Sequence, residues 1–120
     1  MCIFVTINSV IEAVSKSHPD TIPDSIKCRW LGELDGKIMS ETMHKEGFVP
    51  YKFPEDGERE LVVKAPYDNL YELYLIAMSD FFSGELANYN VSAVMFGEAY
   101  SEFKKNYLRN NMPLQYNFVI

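Results

Sequence analysis

The sequence predicts a mainly α-helical domain: a small bundle of about four helices, with a long antiparallel C-terminal pair and a short β-hairpin insertion. Three observations predict this fold. Apolar residues recur at helical spacing in four segments, an Asp-Gly turn signal separates two short β-leaning runs, and Ser83-Gly84 leaves only a tight turn between the last two helices. The 120 residues are 48% apolar and 23% charged, which is typical of one soluble globular domain.

The first helix is predicted over about residues 9–17. Ser9 and Glu12 have the spacing of a capping box, in which the two side chains bond to each other's backbone amides. Pro19 disfavours helical backbone at the residue before it, so the helix should end there.

The second helix is predicted over about residues 25–44, with Asp24 as its N-cap. Gly32 and Gly36 lie four residues apart on one side of it, where we expect a neighbouring backbone to approach closely. Its apolar face is formed by Ile26, Trp30, Leu31, Leu34 and Ile38.

A hairpin is predicted at about residues 48–64, with strands over 48–53 and 60–64. Asp56-Gly57 would form its turn, and Pro50 places the first strand at an edge. A lone hairpin is marginally stable in water, so this one should pack on the helices or on another chain.

The third and fourth helices are predicted over about residues 67–82 and 86–109. Apolar positions spaced by three and four residues define one face of each. In the third helix they are Leu70, Leu73, Tyr74, Ala77, Met78 and Phe81. In the fourth they are Leu86, Tyr89, Ala93, Phe96, Tyr100, Phe103 and Tyr107. Further apolar residues off this seam require a second neighbour, either the second helix or another subunit: Ala87, Val91, Val94 and Met95.

The chain divides into a single domain over residues 1–113 and an apolar tail over 114–120. Two interpretations of the tail remain open: a strand covering the protein's own hairpin or N-terminal segment, or a strand added to a partner. The candidate interface residues come from the tail and the hairpin. They are Pro113, Leu114, Tyr116, Phe118, Val119, Ile120, Phe48, Tyr51 and Phe53.

Charge and cysteine content argue against several classes of function. Eleven Lys and Arg oppose seventeen Asp and Glu, giving a net charge of −6 without the basic cluster that grips nucleic acid. Cys2 and Cys28 form no CxxC pair, so a zinc site is not expected and a reducing cytoplasm fits best. No apolar run approaches the ~18 residues of a membrane span.

The sequence predicts no catalytic, cofactor-binding or metal-ligating residues, and we expect no enzyme. His44 is read as a surface residue near a helix end, and Cys28 as a small core filler. The carboxylates of the second helix are read as a solvated outer face: Glu33, Asp35, Glu41 and Glu46.

Two segments resemble small proteins of tailed-phage and prophage head modules. Residues 26–38 resemble their KxRWLxExxGxI helix, and residues 60–75 are similar to their ELLVPxPYDxLYxxYL stretch. Residues 80–90 are similar too. Scattered positions extend the resemblance towards the C-terminus: Phe96, Ala99, Tyr100, Phe103, Tyr107, Met112 and Pro113.

These proteins resemble the head–tail connector, or adaptor, family. The resemblance implies a twelve-fold homo-oligomeric ring at the virion's head–tail junction, in contact with the portal protein and with the next neck or tail protein. DNA would pass through the lumen without sequence-specific binding, and an acidic wall would let it slide. The alternative is a soluble, non-enzymatic phage or prophage regulatory module that binds a host protein.

Overall fold

The computed structural model describes residues 5–18, 22–64 and 66–111, and within these ranges the chain is mainly helical, as predicted. Four α-helices follow one another: α1 (Ile7–Ser17), α2 (Asp24–Lys37), α3 (Asn69–Phe82) and α4 (Leu86–Asn111). A π-helical segment, Ile38–Thr42, continues α2. The predicted tail, residues 114–120, lies outside the described residues.

Helix α1 begins two residues earlier than predicted because its capping box is formed by a different pair. Thr6 is the N-cap, its hydroxyl accepts from the Ser9 amide at 3.2 Å, and the Ser9 hydroxyl accepts from the Thr6 amide at 3.0 Å. Ser9 is therefore the third helical residue rather than the cap. The helix ends at Ser17, as expected, and its buried face consists of Ile7, Val10, Ile11 and Val14.

Helix α2 and the π-helical segment together span most of the predicted second helix. Asp24 is the first helical residue, and Pro23 occupies the N-cap position predicted for Asp24. Four of the five predicted apolar positions are buried, and the fifth, Ile26, is half-buried. The buried four are Trp30, Leu31, Leu34 and Ile38.

The predicted β-hairpin is wrong, because the described residues contain no strand. Residues 43–64, here called the connecting segment, are irregular apart from turns over 53–58 and one antiparallel bridge between Thr6 and Glu60. The physical reason is where the backbone donors go. The Leu61 amide donates to the Val5 carbonyl at 2.8 Å, and the next two amides donate to side chains of α2 and α3. None of these donors is left for a ladder with residues 48–53.

Helices α3 and α4 form the predicted antiparallel pair. Gly84 makes the turn between them with a φ of 78°, a left-handed conformation that glycine adopts without strain. The seam of α4 is filled by aromatic rings in successive contact: Phe96, Tyr100, Phe103 and Tyr107. Tyr74 of α3 meets Phe96 at 5.1 Å between ring centroids.

The seam is less buried towards the start of α4, although Phe81 of α3 and Tyr89 of α4 are in ring contact there, with centroids 5.2 Å apart. Leu86 is 60% exposed and Phe81 is 56% exposed. Phe103, in contrast, is buried among the core residues. The pair is held by the Phe81–Tyr89 and Tyr74–Phe96 ring contacts and by the hydrogen bond from Ser92 to Asp80.

We predict that Phe103→Ala lowers the free energy of unfolding by about 3–5 kcal/mol, because it removes a buried ring and leaves a cavity. Leu108→Ala is the matched control on the same helix, since Leu108 is 40% exposed, and should change stability by less than about 0.5 kcal/mol. Urea denaturation of both variants measures the difference. Equal losses would contradict this assignment of the seam.

Candidate functional site

The candidate interface residues of the connecting segment have different environments. Tyr51 is buried and packs on Gly32, where an added Cβ would meet the Tyr51 backbone nitrogen at 3.3 Å. Phe48 is half-buried, and its ring covers Gly36, where an added Cβ would meet Cδ2 at 3.3 Å. The predicted close approach of a neighbouring backbone is therefore confirmed at Gly32, whereas the neighbour at Gly36 is the Phe48 side chain. Of the three predicted residues in this segment, only Phe53 is exposed, at 39%.

The guanidinium group of Arg59 packs over the rings of Phe48 and Tyr51. Its guanidinium carbon lies 4.7 Å from the centroid of Tyr51 and 6.0 Å from that of Phe48, and the two rings meet edge to face at 5.3 Å. Cation–π contacts of this kind favour a fixed orientation of the rings. Phe48 and Tyr51 therefore serve the protein's own fold.

The six candidate residues of the tail lie outside the described residues, so their proposed contacts stay predictions. They are Pro113, Leu114, Tyr116, Phe118, Val119 and Ile120.

Asp35 is the centre of a buried polar network, which corrects its prediction as a solvated carboxylate. Its side chain is fully buried, whereas Glu33, Glu41 and Glu46 are exposed as expected. Asp35 therefore lies in the interior and not on the solvated outer face that the sequence predicts for it.

Three donors converge on the Asp35 carboxylate. The hydroxyl of Tyr71 donates to Oδ1 at 2.6 Å, the Val62 amide donates to Oδ2 at 3.2 Å, and the hydroxyl of Tyr51 also donates to Oδ2. Tyr71 accepts in turn from the Val63 amide at 2.7 Å. The network joins α2, α3 and the connecting segment.

Burial is the largest influence on the pKa values of Asp35, Tyr51 and Tyr71. It raises the pKa of Asp35 above its ordinary value, although the hydrogen bonds from Tyr51, Tyr71 and Val62 and the positive charge of Arg59 all act in the opposite direction. Burial and the adjacent Asp35 also raise the pKa of both tyrosines, which stay protonated donors.

A second polar cluster contains a serine, a histidine and an aspartate, the residue types of a hydrolase catalytic triad. They are connected in a different order from that of a triad. Asp80 lies in the middle: its Oδ1 is 3.1 Å from His18 Nε2, and its Oδ2 accepts from the Ser92 hydroxyl at 2.8 Å. In a catalytic triad histidine lies between the other two, because it takes the proton of serine. Here the carboxylate fastens the end of α1 to α3 and α4.

Metal-ligating and thiol chemistry find no support in the part of the chain described. Residues 5–18, 22–64 and 66–111 contain no group of three His, Cys, Asp or Glu that could hold a metal ion. Cys28 is buried. Burial raises the pKa of its thiol, and the negative charge of Asp56 raises it further. Cys28 therefore packs as the small core filler that the sequence predicted.

Exposed apolar side chains are concentrated at one end of the helical pair. At the α3–α4 turn, a surface here called the turn patch exposes Phe81, Phe82 and Leu86. On the side of α4 opposite its seam, the outer face of α4 exposes Ala87, Val91, Val94 and Met95. Residues 86–97 contain no charged residue.

A smaller apolar surface lies on the connecting segment and is here called the segment patch. It consists of Val49, 57% exposed, and Phe53. Among these exposed residues the sequence predicts Phe53 as an interface residue, but not Val49 or Phe82. The absence of charged residues from 86–97 is a sequence signal for the apolar surface on α4. The exposure of Val49 has no such signal, because it depends on how the irregular connecting segment folds.

Comparison with protein-family models, with curated proteins and with solved structures finds no match to this chain. Among the described residues, no helix is long and apolar enough to cross a membrane.

We predict that Tyr71→Phe lowers the free energy of unfolding by about 1–3 kcal/mol, because it leaves Asp35 Oδ1 and the Val63 amide without their shared hydroxyl. Tyr74→Phe is the control: it removes a hydroxyl from a half-buried tyrosine of the same helix and should change stability by less than about 0.5 kcal/mol. Chemical denaturation compares them. A loss as large in the control would show that the network is not the cause.

We predict that Asp35 makes stability depend on pH. Because its pKa is raised in the folded protein, its contribution is fully present below the unfolded value of about 3.9 and is lost as pH rises through the folded value. Asp35→Asn removes this titration, so its stability should fall less with increasing pH than that of the wild type. Denaturation between about pH 4 and 7 tests this; parallel curves would refute it.

Proposed function

We propose that the chain is a structural, non-enzymatic subunit of a tailed-phage virion, a head–tail connector that assembles as a ring beneath the portal. The observation that carries the proposal is the apolar surface at the α3–α4 turn and along the outer face of α4. Six large apolar side chains are exposed there, each by 49% or more: Phe81, Phe82, Leu86, Val91, Val94 and Met95. Surfaces of this kind mark sites of protein association.

The low charge of this region supports association with protein rather than with nucleic acid. Glu85 is the only charged residue within 81–97, although 23% of the whole chain is charged. The centres of protein–protein interfaces are depleted in charge, whereas nucleic-acid surfaces are rich in Lys and Arg. A subunit with a net charge of −6 also suits a ring through which DNA slides without being held.

The segments that resemble connector proteins contain residues of the interior. In the first segment Leu31 and Ile38 are fully buried, and in the second Leu70, Tyr71 and Leu75 are fully buried. Tyr71 is also a member of the Asp35 network. The resemblance therefore concerns residues that hold the domain together, which supports a shared fold as the basis of the proposal.

Quantitative mass spectrometry of purified virions tests this function. We predict a fixed ratio near one copy per portal subunit, because a ring matched to the portal has the same number of chains. The control is the same preparation after the gene has been inactivated, which should yield heads without tails. A chain that is made in infected cells but absent from virions would contradict the proposal and favour the regulatory module.

A further inference from the structure

We infer that the apolar tail, residues 114–120, binds to its own chain in a groove between the connecting segment and the last turns of α4. The apolar lining of this groove, here called the end groove, includes Met43, Val62, Val63, Tyr67, Phe103 and Tyr107. The inference goes beyond the proposed function and does not depend on a ring. Of the two interpretations of the tail, it selects the one in which the tail covers the protein's own surface.

The end groove suits an uncharged apolar segment. Its volume is about 470 Å³, within the range of sites that hold several apolar groups. Lys64 is the only charged residue of the described lining, and its ammonium group forms an ion pair with Glu60. Residues 112–120 contain no charged side chain. The tail can therefore bury apolar surface in the groove without burying an unpaired charge.

The sequence of the tail has the pattern of a strand with one apolar side. Apolar residues occupy every second position: Leu114, Tyr116, Phe118 and Ile120. Gln115 and Asn117 lie between them, and Val119 is the only apolar residue of the other set. Successive side chains of a strand point to opposite sides. Bound as a strand, the tail directs the first set into the end groove and the two amide side chains to solvent.

The tail begins next to the end groove. Phe103 and Tyr107 line the groove, and α4 ends four residues after Tyr107, a rise of about 6 Å along the helix axis. Asn110 follows Phe103 by seven residues and therefore lies on the same side of α4. Pro113 disfavours helical backbone at Met112, so we expect the chain to leave the helix axis beside the groove.

This position favours the protein's own tail over the tail of a second copy. A segment tethered so close to its site has an effective concentration in the millimolar range, which a second copy matches only at the same concentration in solution. The turn patch is a competing apolar surface, but residues 112–120 do not reach it. They extend at most about 30 Å, whereas α4 measures about 38 Å from Asn111 to Leu86. The turn patch is therefore left for a partner.

Thiol labelling of the tail tests the inference. Four variants of the full chain, each also carrying Cys2→Ser, place one cysteine in the tail: Gln115→Cys, Tyr116→Cys, Asn117→Cys and Phe118→Cys. Mass spectrometry of the tail peptide measures its rate of reaction with iodoacetamide in the native and the urea-denatured protein. In the native protein the variants at 116 and 118 should react about tenfold more slowly than when denatured, and those at 115 and 117 within about twofold of the denatured rate.

A charge in the end groove should release the tail. Asn106 lines the groove and accepts a hydrogen bond from the Asn110 side chain at 3.3 Å, which an aspartate can also accept. Asn106→Asp should therefore keep the fold, as circular dichroism checks, and raise the two slow rates by about fivefold or more. Asn90→Asp is the matched control at an exposed position near the other end of α4 and should leave them unchanged.

Dilution separates the protein's own tail from that of a second copy. Protection within one chain should be the same after a hundredfold dilution, and protection that is lost on dilution would assign the groove to a neighbouring copy. Three further results would overturn the inference: no protection at any of the four positions, equal protection at all four, or protection unchanged by Asn106→Asp. None of them decides the proposed function, which depends on whether the chain is present in virions.

Discussion

Three groups, two in the connecting segment and one in α3, donate hydrogen bonds to the carboxylate of Asp35 in the interior of the domain. A buried carboxylate is costly unless its oxygens are satisfied, so arrangements in which Tyr51, Val62 or Tyr71 is displaced are strongly disfavoured. This requirement fixes the path of the connecting segment, which is irregular over most of its described length. Helices α2 and α3 are joined through the same oxygens.

The packing around α2 also determines where the two exposed apolar patches lie. Because the connecting segment is held against Gly32 and Gly36, Val49 and Phe53 are presented on that side of α2. The contact between Trp30 and Phe82 places the turn patch on the other side. The distance and angle between the two apolar surfaces are therefore properties of the folded domain and do not require a partner to set them.

The helices could be predicted from the sequence because the spacing of apolar residues is a local property. The hairpin could not, because Leu61, Val62 and Val63 donate to partners elsewhere in the chain, and no local signal reveals those partners. The prediction of Asp35 as a solvated carboxylate is wrong because it follows the general rule that carboxylates face water. Its position, one residue after Leu34 and three before Ile38, was nevertheless a signal that it borders the buried face. Surface assignments failed similarly at Tyr51, whose ring is buried by contacts with Gly32.

The connecting segment is anchored by a few side chains and by backbone hydrogen bonds to the start of α1, where the Gly57 and Arg59 carbonyls accept from the Asn8 and Ile7 amides. This has a consequence for how the protein can vary. A strand pair tolerates changes of length poorly, since a shift of one residue moves every side chain to the opposite face. The turn at residues 53–56 bonds within the segment itself, as where the Asp56 amide donates to the Lys52 carbonyl at 2.8 Å, and it carries no such register. Related chains could therefore gain or lose residues there and acquire a different outer contour, while an exchange at Asp35 would alter the framework of the whole domain. The turn can therefore vary in length and shape, whereas Asp35 and the groups that bond to it must be kept for the domain to fold in the same way.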